Sequence, residues 1–192
     1  MEFKFKEALN LYENGHLNKS KAICLEILEN YPKHFDSYRL LSIISFINKN
    51  YLEASQLIDK AIKINPNEAI AYYDQGTIFH KLEKFKFALK SFDEAIKINP
   101  HYSRAYFNRG NTLIELKKYE KAVESFEKSI EIDPNDFESY NNCGNSFFEL
   151  KKFDLAKQSF NKAINLNPNY ADAYYNLGNT FYELGQLEDS IN

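Results

Sequence analysis

Residues 103–136 read SRAYFNRGNTLIELKKYEKAVESFEKSIEIDPND. Tyr106, Gly110, Leu113 and Leu116 fall three or four apart, the spacing of one helix face. Lys117-Lys118 interrupts that stripe, and a second follows in Tyr119, Ala122, Val123, Phe126 and Ile130. Asp133-Pro134 stops it, because proline lacks an N–H and disfavours helix in the residue before it. The stretch therefore predicts two helices joined by a short turn.

The pattern recurs along the chain. Pro32, Pro66, Pro100, Pro134 and Pro168 are separated by 34 residues each. Gly76, Gly110, Gly144 and Gly178 keep the same step, as do Ala54, Ala88, Ala122 and Ala156, and Tyr38, Tyr72, Tyr106, Tyr140 and Tyr174. Such repetition predicts a solenoid, in which each unit buries its apolar face on its neighbours. With proline as the phase marker, the units are 1–34, 35–68, 69–102, 103–136, 137–170 and a partial 171–192. Asn65, Asn99 and Asn167 fill the pre-proline slot that Asp133 fills. A mid-helix glycine costs about 1 kcal/mol relative to alanine, so its regular recurrence asks for a packing reason. Close approach of the paired helix, helped by the small Ala column, is the reason expected.

Tyr106-x-x-x-Gly110-x-x-Leu113, then Ala122-x-x-x-Phe126, then Pro134, resembles the tetratricopeptide repeat. The resemblance covers essentially the whole chain and is sharpest in the third to fifth units. The family's usual Trp column is Tyr here. The first unit departs most, with Lys4 for the aromatic, Ala8 for Gly and Ser20 for Ala, and reads as an N-terminal cap; the second has Ser42 in the Gly column. The resemblance implies an all-α fold, one array over 1–192 wound as a right-handed superhelical solenoid of helix-turn-helix repeats, with first helices lining an inner groove.

Composition agrees with a globular chain and removes several functions. The 192 residues carry 24 Lys plus Arg against 27 Asp plus Glu, net −3, which disfavours a nucleic-acid binder. No run of eighteen apolar residues suggests a membrane span, and Met1 to Glu7 lacks a secretory apolar stretch, so the expected location is cytoplasmic. Cys24 and Cys143 lie in different units at core phases and read as small buried residues rather than a disulfide. His16, His34, His80 and His101 fall in four different phases, so no metal site is expected. No Gly-rich phosphate loop or isolated acid–base pair appears. The expectation is a chain that is not itself an enzyme and uses no cofactor.

The helical positions between the core residues then become the candidate site. One column reads Asp74, Asn108, Asn142, Asn176; another reads Thr77, Asn111, Asn145, Asn179. The two are three residues apart and share a helix face, predicting a double row of amides along the groove. An amide offers two donors and an acceptor, which suits the backbone of an extended peptide. The alternatives are that the amides bridge adjacent units or reflect an Asn- and Lys-rich coding bias. Beside them lies an aromatic column, Phe5, Tyr73, Phe107 and Tyr175, interrupted by Arg39 and Asn141. These rings either anchor ligand side chains or pack on the neighbouring unit. Glu115, Glu138, Glu149, Asp172 and Glu183 fall in groove phases opposed only by Arg104, so a basic ligand segment is expected toward that end.

The function expected is a protein-interaction scaffold for an extended segment of a protein or peptide partner. The slots before Asn111, Asn145 and Asn179 hold Phe107, Asn141 and Tyr175 rather than Lys, so the carboxylate clamp of chaperone-docking arrays is missing. The Ala-Tyr-x-Asn-x-Gly-Asn runs at Ala105 to Asn111 and Ala173 to Asn179 are more similar to arrays preceding protein O-linked N-acetylglucosamine transferases. That similarity implies, as the alternative, a substrate-recruiting module of a larger glycosyltransferase. The chain stops at Asn192 soon after a second helix should begin at Leu187, without terminator or capping helix. A longer parent protein is therefore expected, and self-association through the terminal repeat is a further expectation.

Overall fold

In a computed structural model, which describes residues 2–185, the two-helix unit repeats as expected. The helices are α1 (Glu2–Glu13), α2 (Leu17–Asn30), α3 (Phe35–Ile47), α4 (Tyr51–Ile64), α5 (Ala69–Lys81), α6 (Phe85–Ile98), α7 (Ser103–Glu115), α8 (Tyr119–Ile132), α9 (Phe137–Glu149), α10 (Phe153–Leu166) and α11 (Ala171–Glu183). No strand occurs among the described residues. The second helix expected from Leu187 lies outside them.

The chain divides into two compact units, Met1–Ile98 and Asn99–Asn192. In the first, each helix from α1 to α6 packs on the next, and α3 also touches α5. The second repeats this from α7 to α11, with α7 touching α9 and α9 touching α11. First helices of successive repeats thus form one face of each unit.

Two recurring turns make the helices short. After each first helix one residue adopts positive φ: Gly15 at 78°, Lys49 at 60°, Glu83 at 57°, Lys117 at 55°, Lys151 at 58° and Gly185 at 73°. At Lys117 the N–H donates to the Ile114 carbonyl (2.7 Å) and the next N–H, of Lys118, to Leu113 (2.8 Å), a Schellman closure. A side chain here pays a steric penalty that glycine avoids. Lys117→Gly is expected to raise stability by about 0.5–1 kcal/mol, read as a higher urea midpoint at unchanged slope. A lowered midpoint would contradict this account of the turn.

At the proline turns the preceding side chain does more than end a helix. Asn65, Asn99, Asp133 and Asn167 each accept, through Oδ1, the backbone N–H two residues on, at 3.0–3.3 Å. The Asx turn and the proline together specify the direction change into the next repeat. Asp136 then accepts the N–H groups of Glu138 and Ser139, capping α9.

The packing reason for the glycine column is a phenylalanine ring. A Cβ on Gly76 would lie 2.6 Å from Phe92 Cε1; on Gly110, 2.6 Å from Phe126 Cε1; on Gly144, 2.6 Å from Phe160 Cε1. Each ring belongs to the second helix of the same repeat and is fully buried. In the two N-terminal repeats the same two positions hold Ser42 with Ile58 and Ala8 with Cys24. In the second repeat a larger first-helix residue thus faces a smaller partner at similar summed volume, whereas Ala8 with Cys24 in the first repeat is a smaller pair. The Ala column completes this contact: Ser20 and Ser42 donate their hydroxyls to the carbonyls of Ala8 and Ala54, at 2.8 and 2.9 Å. Cys24 and Cys143 are buried free thiols, as expected. Burial pushes them up to about 11 and about 12 respectively, so at neutral pH both remain protonated and poorly nucleophilic.

Candidate functional site

The first-helix faces carry the candidate residues, and the two units carry them differently. In unit 2 a hydroxyl column lies beneath the face. Thr112, Ser146 and Thr180 are buried and donate to the carbonyls of Asn108, Asn142 and Asn176 one turn earlier, at 2.7–2.9 Å. These small, satisfied residues let neighbouring first helices approach, and the asparagines stand above them.

The amides form a chain. Asn176 Nδ2 donates to Asn141 Oδ1 (3.0 Å), Asn141 Nδ2 to Asn142 Oδ1 (3.1 Å), and Asn142 Nδ2 to Asn111 Oδ1 (2.9 Å). It runs from α11 through α9 to α7 and so ties three successive repeats. The alternative in which amides bridge adjacent units is therefore realised for Asn111, Asn142 and Asn176. Asn141 is a link that helical spacing did not single out: it is 3% exposed. Its one signal in the sequence is that it interrupts the aromatic column. Bridging does not exhaust Asn142, which has one N–H and one lone pair outside the chain. Asn108 and Asn145 are half-buried on the same face, and Asn179 is exposed.

The rings divide by repeat. Phe107 packs edge-on against Phe126 with centroids 5.9 Å apart, so it mainly supports its own repeat. Tyr175 is 71% exposed on α11. The carboxylates Glu115, Glu138, Glu149, Asp172 and Glu183 are exposed, as is Arg104, leaving this face acidic.

In unit 1 the other interruption of the aromatic column, Arg39, makes the corresponding link. Its Nε donates to Asp74 Oδ2 at 2.7 Å, joining α3 to α5. Burial pushes the Asp74 carboxyl up and Arg39 opposes that shift. Tyr73 stacks obliquely on Phe92, with centroids 6.1 Å apart. The three residues expected here, Tyr73, Asp74 and Thr77, line one pocket of about 170 Å3, with Ile78 beside them and Ser42, Ile43 and Phe46 across on α3. Among the described residues, no group of three or more His, Cys, Asp or Glu side chains could hold a metal ion, and no helix is long and apolar enough to cross a membrane.

Models described as tetratricopeptide repeat match residues 5–69, 69–102, 103–136 and 125–158, and one described as TPR repeat matches 144–185. The chain belongs to the tetratricopeptide-repeat family. No curated protein matches its sequence. Among solved structures, this tetratricopeptide chain is similar to YrrB, described as a TPR protein with an unusual peptide-binding site, at 23% identity and a TM-score of 0.77, over 90% of this chain and 89% of that one. MamA aligns at 21% identity and a TM-score of 0.79, over 85% and 96%. PilF of Pseudomonas aeruginosa aligns at 18% identity and a TM-score of 0.86, over 98% and 86%. At these identities the likeness concerns the fold of the repeats.

Proposed function

We propose that the chain is a protein-interaction scaffold whose first-helix face holds an extended segment of a partner protein. The observation that carries this reading is the amide chain from Asn176 to Asn111. It orients asparagine side chains along successive repeats, with hydrogen-bonding capacity remaining for a backbone that presents N–H and C=O regardless of sequence. The exposed carboxylates on the same face favour a segment with Lys or Arg. YrrB, a TPR protein of similar fold described as having an unusual peptide-binding site, supports the reading by analogy.

The test is affinity for a peptide selected from a displayed random library, before and after replacing Asn108, Asn142 and Asn176 with Ala. Loss of roughly 30-fold is expected from three weakened polar contacts of about 0.7 kcal/mol each. Affinity retained within about twofold overturns the asparagine reading.

The second reading, a recruiting arm of an O-linked N-acetylglucosamine transferase-like enzyme, rests on the two Ala-Tyr-x-Asn-x-Gly-Asn runs. Both readings use the same face. They separate on the intact mass of the native gene product: a mass near 22.5 kDa removes the transferase arm.

A further inference from the structure

The same crevice between neighbouring first helices has different chemistry in the two units. In unit 2, Asn142 of α9 reaches across to Asn111 of α7, with Asn141 alongside. Two repeats earlier in the sequence, the equivalent positions hold Asp74, Ile43 and Tyr73. Asp74 is held by Arg39, and Ile43 gives it no hydrogen-bonding partner. The space left is the pocket of about 170 Å3 between α3 and α5.

Its polar lining groups are already engaged within the protein. Thr77 Oγ1 donates to the Tyr73 carbonyl at 3.0 Å, and Ser42 Oγ to the Ala54 carbonyl at 2.9 Å. Asp74 is the lining carboxylate, and the Arg39 guanidinium neutralises it. What remains for a guest is the apolar surface of Ile43, Phe46, Tyr73 and Ile78. A charged guest group would lose water without gaining a partner, whereas an apolar one loses nothing polar. The size is suitable, since an apolar cavity of roughly 150 Å3 takes a benzene molecule.

We infer that this pocket is a side-chain subsite for one uncharged aliphatic residue, Leu, Ile or Met, of the segment bound along the face. The inference rests on the peptide-binding reading and adds a specificity element on the first-helix face of unit 1.

The experiment selects displayed random dodecapeptides on the full chain and on two variants checked for folding by circular dichroism. Thr77→Leu fills the pocket from α5. Ile43→Asn gives unit 1 the residue that unit 2 carries at that position, and serves if the first variant fails to fold. On the wild type, one peptide position is expected to be enriched in Leu, Ile or Met. Replacing that residue by Ala in a synthetic peptide is expected to weaken binding about 10- to 30-fold on the wild type. On either folded variant the same replacement is expected to change binding by less than about twofold. Selected peptides without an aliphatic position, or an equal cost on wild type and variants, overturn the subsite and leave the peptide-binding reading standing. Selection of no peptide at all overturns both.

Discussion

Gly110→Ala is expected to destabilise unit 2 by about 2 kcal/mol, although alanine is the better helix former by about 1 kcal/mol. The added Cβ would sit 2.6, 2.7 and 2.9 Å from three atoms of the Phe126 ring, which is fully buried and has nowhere to retreat. Steric cost must then exceed the propensity gain. For a unit of this size the loss lowers the melting temperature by roughly 8–16 °C. The partner substitution decides the mechanism. Phe126→Ile alone opens space and costs about 2 kcal/mol, but Gly110→Ser with Phe126→Ile recreates the Ser42 and Ile58 combination of the second repeat. The double variant is expected to be more stable than the sum of the Gly110→Ser and Phe126→Ile singles by at least about 1 kcal/mol, measured as a double-mutant cycle in urea. Strict additivity would show that the glycine is required by something other than the ring.

Asn141→Ala is expected to cost about 2 kcal/mol of stability and to weaken peptide binding about tenfold as well. Asn141 accepts from Asn176 and donates to Asn142, so its removal deprives both of a partner at a buried position. The amides of Asn142 and Asn176, which the proposed function assigns to the bound segment, then lose the bonds that orient them. Asn179→Ala, on the exposed part of the same face, should leave stability within about 0.5 kcal/mol. Thermal unfolding and peptide titration on the same samples separate the two effects. An Asn141→Ala variant that loses stability while binding normally would make the amide chain purely structural.

The columns that make the fold legible are those whose physics is local. Proline and the residue before it stop a helix by their own geometry, so the boundaries near Asp133-Pro134 follow from sequence, and α8 does end at Ile132. The glycine column signals a close approach, but not to what. The answer lies sixteen positions away in the phenylalanine column, and the compensating pair Ser42 with Ile58 is its trace in the sequence. The positive-φ turns are harder to see, because lysine or glutamate occupies four of the six and hides a glycine preference visible only at Gly15 and Gly185.

At the candidate site the face is legible in the sequence and the bonding is not. Spacing places Asn108 and Asn111, or Asn142 and Asn145, on shared helix faces. The amides instead bond between helices, from Asn142 to Asn111 and from Asn176 to Asn141. Those pairs are 31 and 35 residues apart, and a helical-periodicity argument does not reach them. The interruptions of the aromatic column, Arg39 and Asn141, are the readable trace: each marks an inter-repeat polar link. The pocket of unit 1 needs geometry, since its apolar character depends on where Thr77, Ser42 and Asp74 direct their hydrogen bonds.

The most direct measurement is nitrogen-15 NMR of the asparagine side-chain amides while a library-selected peptide is added to the full chain. The account predicts that the Asn142 and Asn176 Nδ2 resonances shift in proportion to saturation, while those of Asn161 and Asn165 on α10 stay in place. Shifts confined to Asn161 and Asn165 of α10, with Asn142 and Asn176 unmoved at saturation, would contradict it.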